Sequence, residues 1–230
     1  MWNKYKLAPI SSFNMIQDNM HEAHEKKQLM VIIGATGFGK TVGFHHYMNY
    51  TNYKCYYTQI KPAEAAKPFF YRLNDLINER DIGMDNYRSS SSLNWLIEKS
   101  SYDFLNKKDN PMLIIDEAGN FKKNSQSYLR QVWDNIKGNS AMIISGPDRY
   151  DKNLKTWNRD LSTGIPELVS RINNWKYVPA PTYEDIKLIC LENEIDDKRI
   201  IKFIYENSHN LRNVKDYVLA YHNGELPYDS

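Results

Sequence analysis

The sequence predicts an α/β protein: a three-layer core around a parallel five-stranded sheet, followed by a small C-terminal all-helical part. Three observations carry this. Short apolar runs alternate with helix-spaced segments as far as Val178, the pattern of repeated βαβ units. A Gly-rich stretch, Gly34-Ala-Thr-Gly-Phe-Gly-Lys-Thr41, joins the first apolar run to a helical segment. After Pro179-Ala-Pro181 the strand-like runs stop and only helical spacing remains.

The elements follow in order. Ser11 and Ser12 are placed to cap a helix whose Phe13, Ile16, Met20 and Ala23 share one face. Leu29–Ile33 is a first strand and Lys40–Tyr50 a helix. Tyr53–Ile60, rich in aromatics, reads as a second strand, and Ala63–Ile77 as a helix. Ser89–Ser92 is a polar break before helical Leu93–Leu105. Met112–Ile115 is apolar at every position, as a central parallel strand buried on both faces must be. Ser125–Ile136 is helical, Ala141–Ile144 a fourth strand, Leu168–Ile172 a helix end and Trp175–Val178 a last strand. Thr182 and Asp185 form a capping box that opens three short helices, roughly 183–193, 197–207 and 211–222. The expected division is a core over 1–180, with 1–11 as an N-terminal arm, and a helical lid with its tail over 181–230.

Composition narrows the classes. The 230 residues suit one α/β domain with a small satellite. Thirty Lys and Arg against 28 Asp and Glu leave a formal net charge of +2, so overall charge does not announce a nucleic-acid binder. No apolar run approaches the roughly 20 residues that span a bilayer. The start, Met1-Trp-Asn-Lys-Tyr-Lys6, lacks the apolar region of a signal peptide. The two cysteines, Cys55 and Cys190, have no metal-like spacing, and a cytoplasmic protein with reduced thiols is expected.

Gly34–Thr41 is a full G-x-x-x-x-G-K-[ST] phosphate loop in the strand–loop–helix context the motif needs. Its backbone, Gly34, Ala35, Thr36, Gly37, Phe38 and Gly39, can wrap a polyphosphate with N–H groups pointing inward. The following helix adds the partial positive charge of its N-terminus. Lys40 would reach the β- and γ-phosphates of a nucleoside triphosphate, and the Thr41 hydroxyl would ligate Mg²⁺. Leu113-Ile-Ile-Asp-Glu-Ala118 supplies the acidic partner. Asp116 at a strand tip would hold the metal through water, and Glu117 would polarise the attacking water.

Other motifs give way on order or number. Asn106-Lys-Lys-Asp109 matches the guanine-reading N-K-x-D, and Asp116-Glu-Ala-Gly119 matches D-x-x-G. N-K-x-D comes after D-x-x-G in GTPases and before it here, so residues 106–109 read as a polar turn. A helicase motor needs two lobes, more than this length supplies. His21-Glu-Ala-His24 lacks a third metal ligand and reads as a surface helix with two titratable histidines. His45 and His46 read as packing or solvent contacts.

The order phosphate loop, Asp-Glu box, strand, Arg before the last strand, helical lid resembles the AAA+ ATPases over Phe13 to Tyr221. Within them the chain looks most like the DNA-transposition group of the phage Mu B protein, TnsC, TniB and IstB. The cues are Ala23-His-Glu-Lys-Lys27 before the first strand, Gly37-Phe-Gly-Lys-Thr41, Tyr128-Leu-Arg-Gln-Val-Trp-Asp134 after the Asp-Glu box, and Ile143-Ile-Ser-Gly-Pro147. The resemblance implies that Arg171 is an arginine finger acting on a neighbouring subunit, with Arg159 the second candidate. It implies a sensor-2 role for Arg212, although His209 stands where the family's G-x-x-R has glycine. Ser145 takes the sensor-1 position, where many relatives carry Asn.

The resemblance further implies assembly with copies of itself into ATP-bound rings or helical filaments on duplex DNA. Lys61, Lys67, Arg88, Lys122 and Lys123 would supply contacts to phosphates. A transposase would be the partner recruited, and the chain would be a minimal ATPase core without the helix-turn-helix domain of the phage Mu B protein. Two alternatives stand beside this: a helicase loader or initiator-like ATPase, and a nucleotide-gated signalling switch that does not bind DNA.

Overall fold

The structure, a computed structural model, describes residues 5–80, 91–107, 110–161 and 164–227. The chain runs α1 (Ser11–Glu25), β1 (Leu29–Ile33), α2 (Lys40–Tyr50), β2 (Cys55–Gln59), α3 (Ala66–Ile77), α4 (Leu93–Leu105), β3 (Met112–Asp116), α5 (Gln126–Ile136), β4 (Ala141–Gly146), α6 (Asp148–Trp157), α7 (Ile165–Arg171) and β5 (Asn174–Tyr177). Helices α8 (Tyr183–Glu192), α9 (Lys198–Asn207) and α10 (Leu211–Asn223) complete it. The sheet has five parallel strands in the order β2-β3-β4-β1-β5.

Strands β1, β3 and β4 are buried at every position. Side chains alternate across the sheet, so each strand feeds two cores. Leu29, Val31, Ile33, Leu113, Ile115, Met142 and Ile144 meet α3, α4, α5 and α7 on one face. Met30, Ile32, Met112, Ile114, Ala141 and Ile143 meet α1 and α2 on the other. Each fully buried large apolar side chain contributes about 1.5–3 kcal/mol, and the polar residues of these three strands, Asp116 and Ser145, stand at or next to the strand ends. The register places Ile33 beside Gly146, so the phosphate loop and the end of β4 lie at one edge of the sheet.

A third core joins the lid to the N-terminal arm: Ala8 and Ile10 pack with Ile186, Ile189, Ile204 and Val214. The Thr182–Asp185 capping box forms. Helix α1 departs from expectation at its start. Neither Ser11 nor Ser12 caps it; the N-cap is Ile10, and Asp185 from the lid accepts from Ser11 N at 2.8 Å and Ser11 Oγ at 2.7 Å. The expected pair of surface histidines also departs: His21 is exposed, but His24 is 4% exposed and stacks on Tyr53 at 3.8 Å. Helix α6 was not among the expected elements. Ser92 caps α4 by accepting from Trp95 N, and Asn106 ends that helix. Lys108, Asp109, Ser89 and Ser90 lie outside the described residues. Among the described residues no helix is long and apolar enough to cross a membrane.

Candidate active site

Period-two alternation aims Asp116 at the same face as Ile114, toward α2. There its carboxylate is fully buried and meets four donors. Oδ2 accepts from Thr41 Oγ1 at 2.8 Å and from Tyr57 OH at 3.1 Å; Oδ1 accepts from Ser145 Oγ at 2.5 Å and from Glu117 N at 2.9 Å. Thr41, Asp116 and Ser145, far apart in sequence, are thereby brought together. Burial and the Asp116 charge push the Tyr57 phenol far above its ordinary range, so it is a donor throughout the neutral range.

Lys40 is buried, and its Nζ donates to Gly34 O at 2.5 Å and Ala35 O at 3.2 Å. Burial pulls its ammonium below the usual range, while Asp116, Glu117 and Asp148 pull the other way. Glu117 follows in the left-handed region at φ 55, a conformation that a non-glycine residue holds only where its surroundings enforce it. Burial pushes its carboxyl above the ordinary range, the Asp116 charge adds to this, and Lys40 opposes it. The loop turns at Gly37 and Gly39, with φ of +84 and +88, where a Cβ would be strained.

A cavity of about 340 Å³ opens over the loop, within the usual range for small-molecule sites. Thr36, Gly37, Gly39, Lys40, Thr41 and Glu117 form one side. Tyr5, Leu7, Ala8, Ile10 and Phe13 from the arm and α1, and Ile189, Leu211, Arg212 and Lys215 from the lid, form the other. The lining therefore combines loop residues and the cations Lys40, Arg212 and Lys215 with apolar side chains of the arm and lid. Arg212, exposed in the first turn of α10, faces this cavity from the lid. Thr41 and Asp116 offer hard oxygen donors, a set that suits Mg²⁺ completed by phosphate and water; among the described residues no cluster of three or more His, Cys, Asp or Glu forms a metal cage.

Glu117 also lines a second groove, about 540 Å³, with Lys122, Lys123, Arg149 and Trp157. Lys122 is exposed, and Lys123 pairs with Asp160 at 2.5 Å. Asn120 Nδ2 donates to Ile60 O at 2.8 Å, which ties the loop bearing Lys122 to the one bearing Lys61. Lys67 on α3 lies 5.9 Å from the Tyr71 ring. Arg88 lies outside the described residues.

Arg171 ends α7 at the opposite edge of the sheet, where Asn173 N bonds Leu29 O at the start of β1. The five residues of β1, at about 3.3 Å each, separate it from the phosphate loop of its own chain. Its Nε donates to Asp134 Oδ1 at 2.9 Å. Arg159 is exposed just after α6.

Tyr57, Arg149 and the arm residues lie outside every sequence motif. Tyr57 had a signal in its parity: it is the register partner of Ile114 and faces the same side as Asp116. The arm has none, since its partners are about 180 residues away; the Asn193 side chain, for example, bonds both Lys6 N and Lys6 O, |i−j| = 187.

A family model described as an AAA domain matches residues 23–154. Among solved structures, the ORC1 protein of Aeropyrum pernix in complex with DNA is similar with a TM-score of 0.67 at 12% identity, over 97% of this chain and 62% of that one. Cdc6p from Pyrobaculum aerophilum gives 0.60 at 18% identity, over 97% and 65%. A Walker-type ATPase of Pyrococcus abyssi gives 0.63 at 14%, over 92% and 68%. At these identities the likeness is one of fold, and the chain spans less than two thirds of the ORC1 and Cdc6p chains. No curated protein matches the sequence.

Proposed function

The chain belongs to the AAA-domain family, and from that premise we propose that it is an ATPase that works as an oligomer on duplex DNA. The observation that carries the reading is the Thr41–Asp116 contact at 2.8 Å with Lys40 and Glu117 beside it. In this reading the triphosphate lies along Gly34–Thr41, and the base packs against the apolar arm and lid side chains that line the cavity. Mg²⁺, when bound, neutralises charge on the phosphate oxygens. Lys40 exchanges the carbonyls of Gly34 and Ala35 for the β- and γ-phosphates. Thr41 would ligate the metal and Asp116 would hold it through water, Ser145 fixes Asp116, and Glu117 would take the proton of the attacking water. Arg212 meets phosphate from the lid. Arg171 cannot serve its own loop from the far edge of the sheet, so its finger role lies in a neighbouring subunit.

The ORC1 structure holds DNA, and here Lys122, Lys123 and Arg149 line a groove that Glu117 also lines. With a net charge of only +2, many subunits sharing one duplex supply the affinity that one would lack. The fold likeness to ORC1 and Cdc6p favours an initiator- or loader-like role. Control of transposition, with a transposase as partner, is the second reading, favoured by the motif cues at Leu113–Ala118 and Ile143–Pro147. Electron microscopy with duplex DNA and a slowly hydrolysed ATP analogue tests the common part. Rings or filaments that need both ligands are expected, and indifference to DNA would leave a nucleotide switch. Helicase loading against stimulation of strand transfer then separates the two roles.

A further inference from the structure

A carboxylate offers about four lone-pair positions, and protein donors already fill all four on Asp116. Ser145 Oγ and Glu117 N hold Oδ1, while Thr41 Oγ1 and Tyr57 OH hold Oδ2. The group is fully buried. A metal-bound water that is to reach Asp116 must therefore displace one of these donors.

Three of them are poorly placed to yield. Ser145 is fully buried, the Glu117 N–H is main chain, and Thr41 would itself ligate the metal and so stays beside Asp116. Tyr57 makes the longest of the four bonds, at 3.1 Å, and its half-buried ring lies against the exposed His45 at 4.5 Å.

We propose that the Tyr57 hydroxyl occupies the Asp116 lone pair that a Mg²⁺-bound water takes, which makes Tyr57 a positioning residue that sets the divalent-cation requirement of the site. The inference rests on the nucleotide reading above and adds to it a residue outside the motifs. While the metal is absent, the phenol keeps Asp116 satisfied and oriented. Metal entry then carries the loss of one hydrogen bond to a charged acceptor. Tyr57→Phe removes that competition and keeps the ring.

The test is a Mg²⁺ titration of the protein with a fluorescent ADP analogue, which needs no turnover. For Tyr57→Phe the half-saturating Mg²⁺ concentration is expected to fall on the order of threefold to tenfold, with analogue affinity in EDTA unchanged. An equal or higher half-point with intact analogue binding overturns this inference alone. Absence of analogue binding by both proteins overturns the nucleotide reading with it. As a second measurement, Mg²⁺ added to the wild-type complex should give a tyrosine absorbance difference that Tyr57→Phe lacks; identical differences in both would overturn the proposal.

Discussion

The N–H of Leu211 donates to the carbonyl oxygen of Gly37 at 3.0 Å, fastening the first turn of lid helix α10 to the crown of the phosphate loop. Asn210 beside it accepts from Arg212 N and Asn213 N, capping the same helix. The lid therefore reads the loop through the main chain, before any side chain reaches a ligand.

Gly37 is where this contact is most exposed to test. An added Cβ would stand 2.9 Å from Asn210 Cγ at φ +84. The backbone strain alone is about 1–2 kcal/mol, and the Asn210 cap is displaced as well. Gly37→Ala should lower the melting temperature and weaken ATP binding by roughly tenfold. Asn210→Ala should weaken the lid by about 0.5–2 kcal/mol while leaving the loop unstrained. Thermal melting with nucleotide titration of both variants checks the order.

Glu117 yields a signed pH prediction. Burial first, then the Asp116 charge, push its carboxyl above the ordinary range. A base acts as the carboxylate, so turnover should fall as pH drops through this raised value. Glu117→Gln should bind ATP and lose about 10²–10⁴-fold in turnover. The folded state binds this proton more tightly than the unfolded one, so ionised Glu117 opposes folding above the folded pKa. Glu117→Gln should therefore melt higher than wild type at neutral pH. A lower melting temperature would remove the burial account.

Much of this site was legible in parity alone. Tyr57, Asp116 and Ser145 occupy the same alternation on β2, β3 and β4 as Ile114 and Ile143, so they share a face, Tyr57 in mid-strand and the other two near the strand ends. The phosphate loop and the Asp-Glu box could be read because their chemistry is local. What escaped is long-range. The start of α1 is held by Asp185, 174 residues away, and no local pattern announces that. His24 buries because Tyr53, across a strand and a helix, covers its ring. Helix α6 carried a signal in Tyr150 and Leu154 at i, i+4, but its charged first turn after Pro147 reads as loop.

Arg171 and Asp134 form a pair at 2.9 Å on the surface far from their own phosphate loop. Burial alone would raise the Asp134 carboxyl; bonds from Arg171 and Lys137 outweigh it and hold it below the usual range. Arg171→Ala should abolish turnover in the homo-oligomer and regain it when mixed with Lys40→Ala, since each supplies what the other lacks. Asp134→Asn removes the ion pair and leaves Arg171 only its Nη1 bonds to Glu167 O and Ser170 Oγ, and should raise, or leave unchanged, the turnover of the assembled form. ATPase assays on mixed variants decide it, and no recovery on mixing would exclude a finger acting between subunits.

Asp185 binds arm, lid and α1 into one unit, and its loss should therefore be felt at the ligand. Its Oδ1 accepts from Ser11 N and Oγ, its Oδ2 from Thr182 N and Oγ1. Burial would raise this carboxyl, but the bonds from Ser11 and Thr182 prevail and hold it below the ordinary range. A folded-state pKa below the unfolded value of about 3.9 means that the stabilisation is complete above that value and is lost as pH falls through the folded one. Asp185→Ala should destabilise by about 1–3 kcal/mol and flatten the acid limb of melting temperature against pH. Tyr5, Leu7, Ala8 and Ile10 line the cavity from the segment that Asp185 anchors, so the variant should also weaken binding of ATP more than of inorganic triphosphate, which needs no base contact. Equal losses for both would place the base away from the arm.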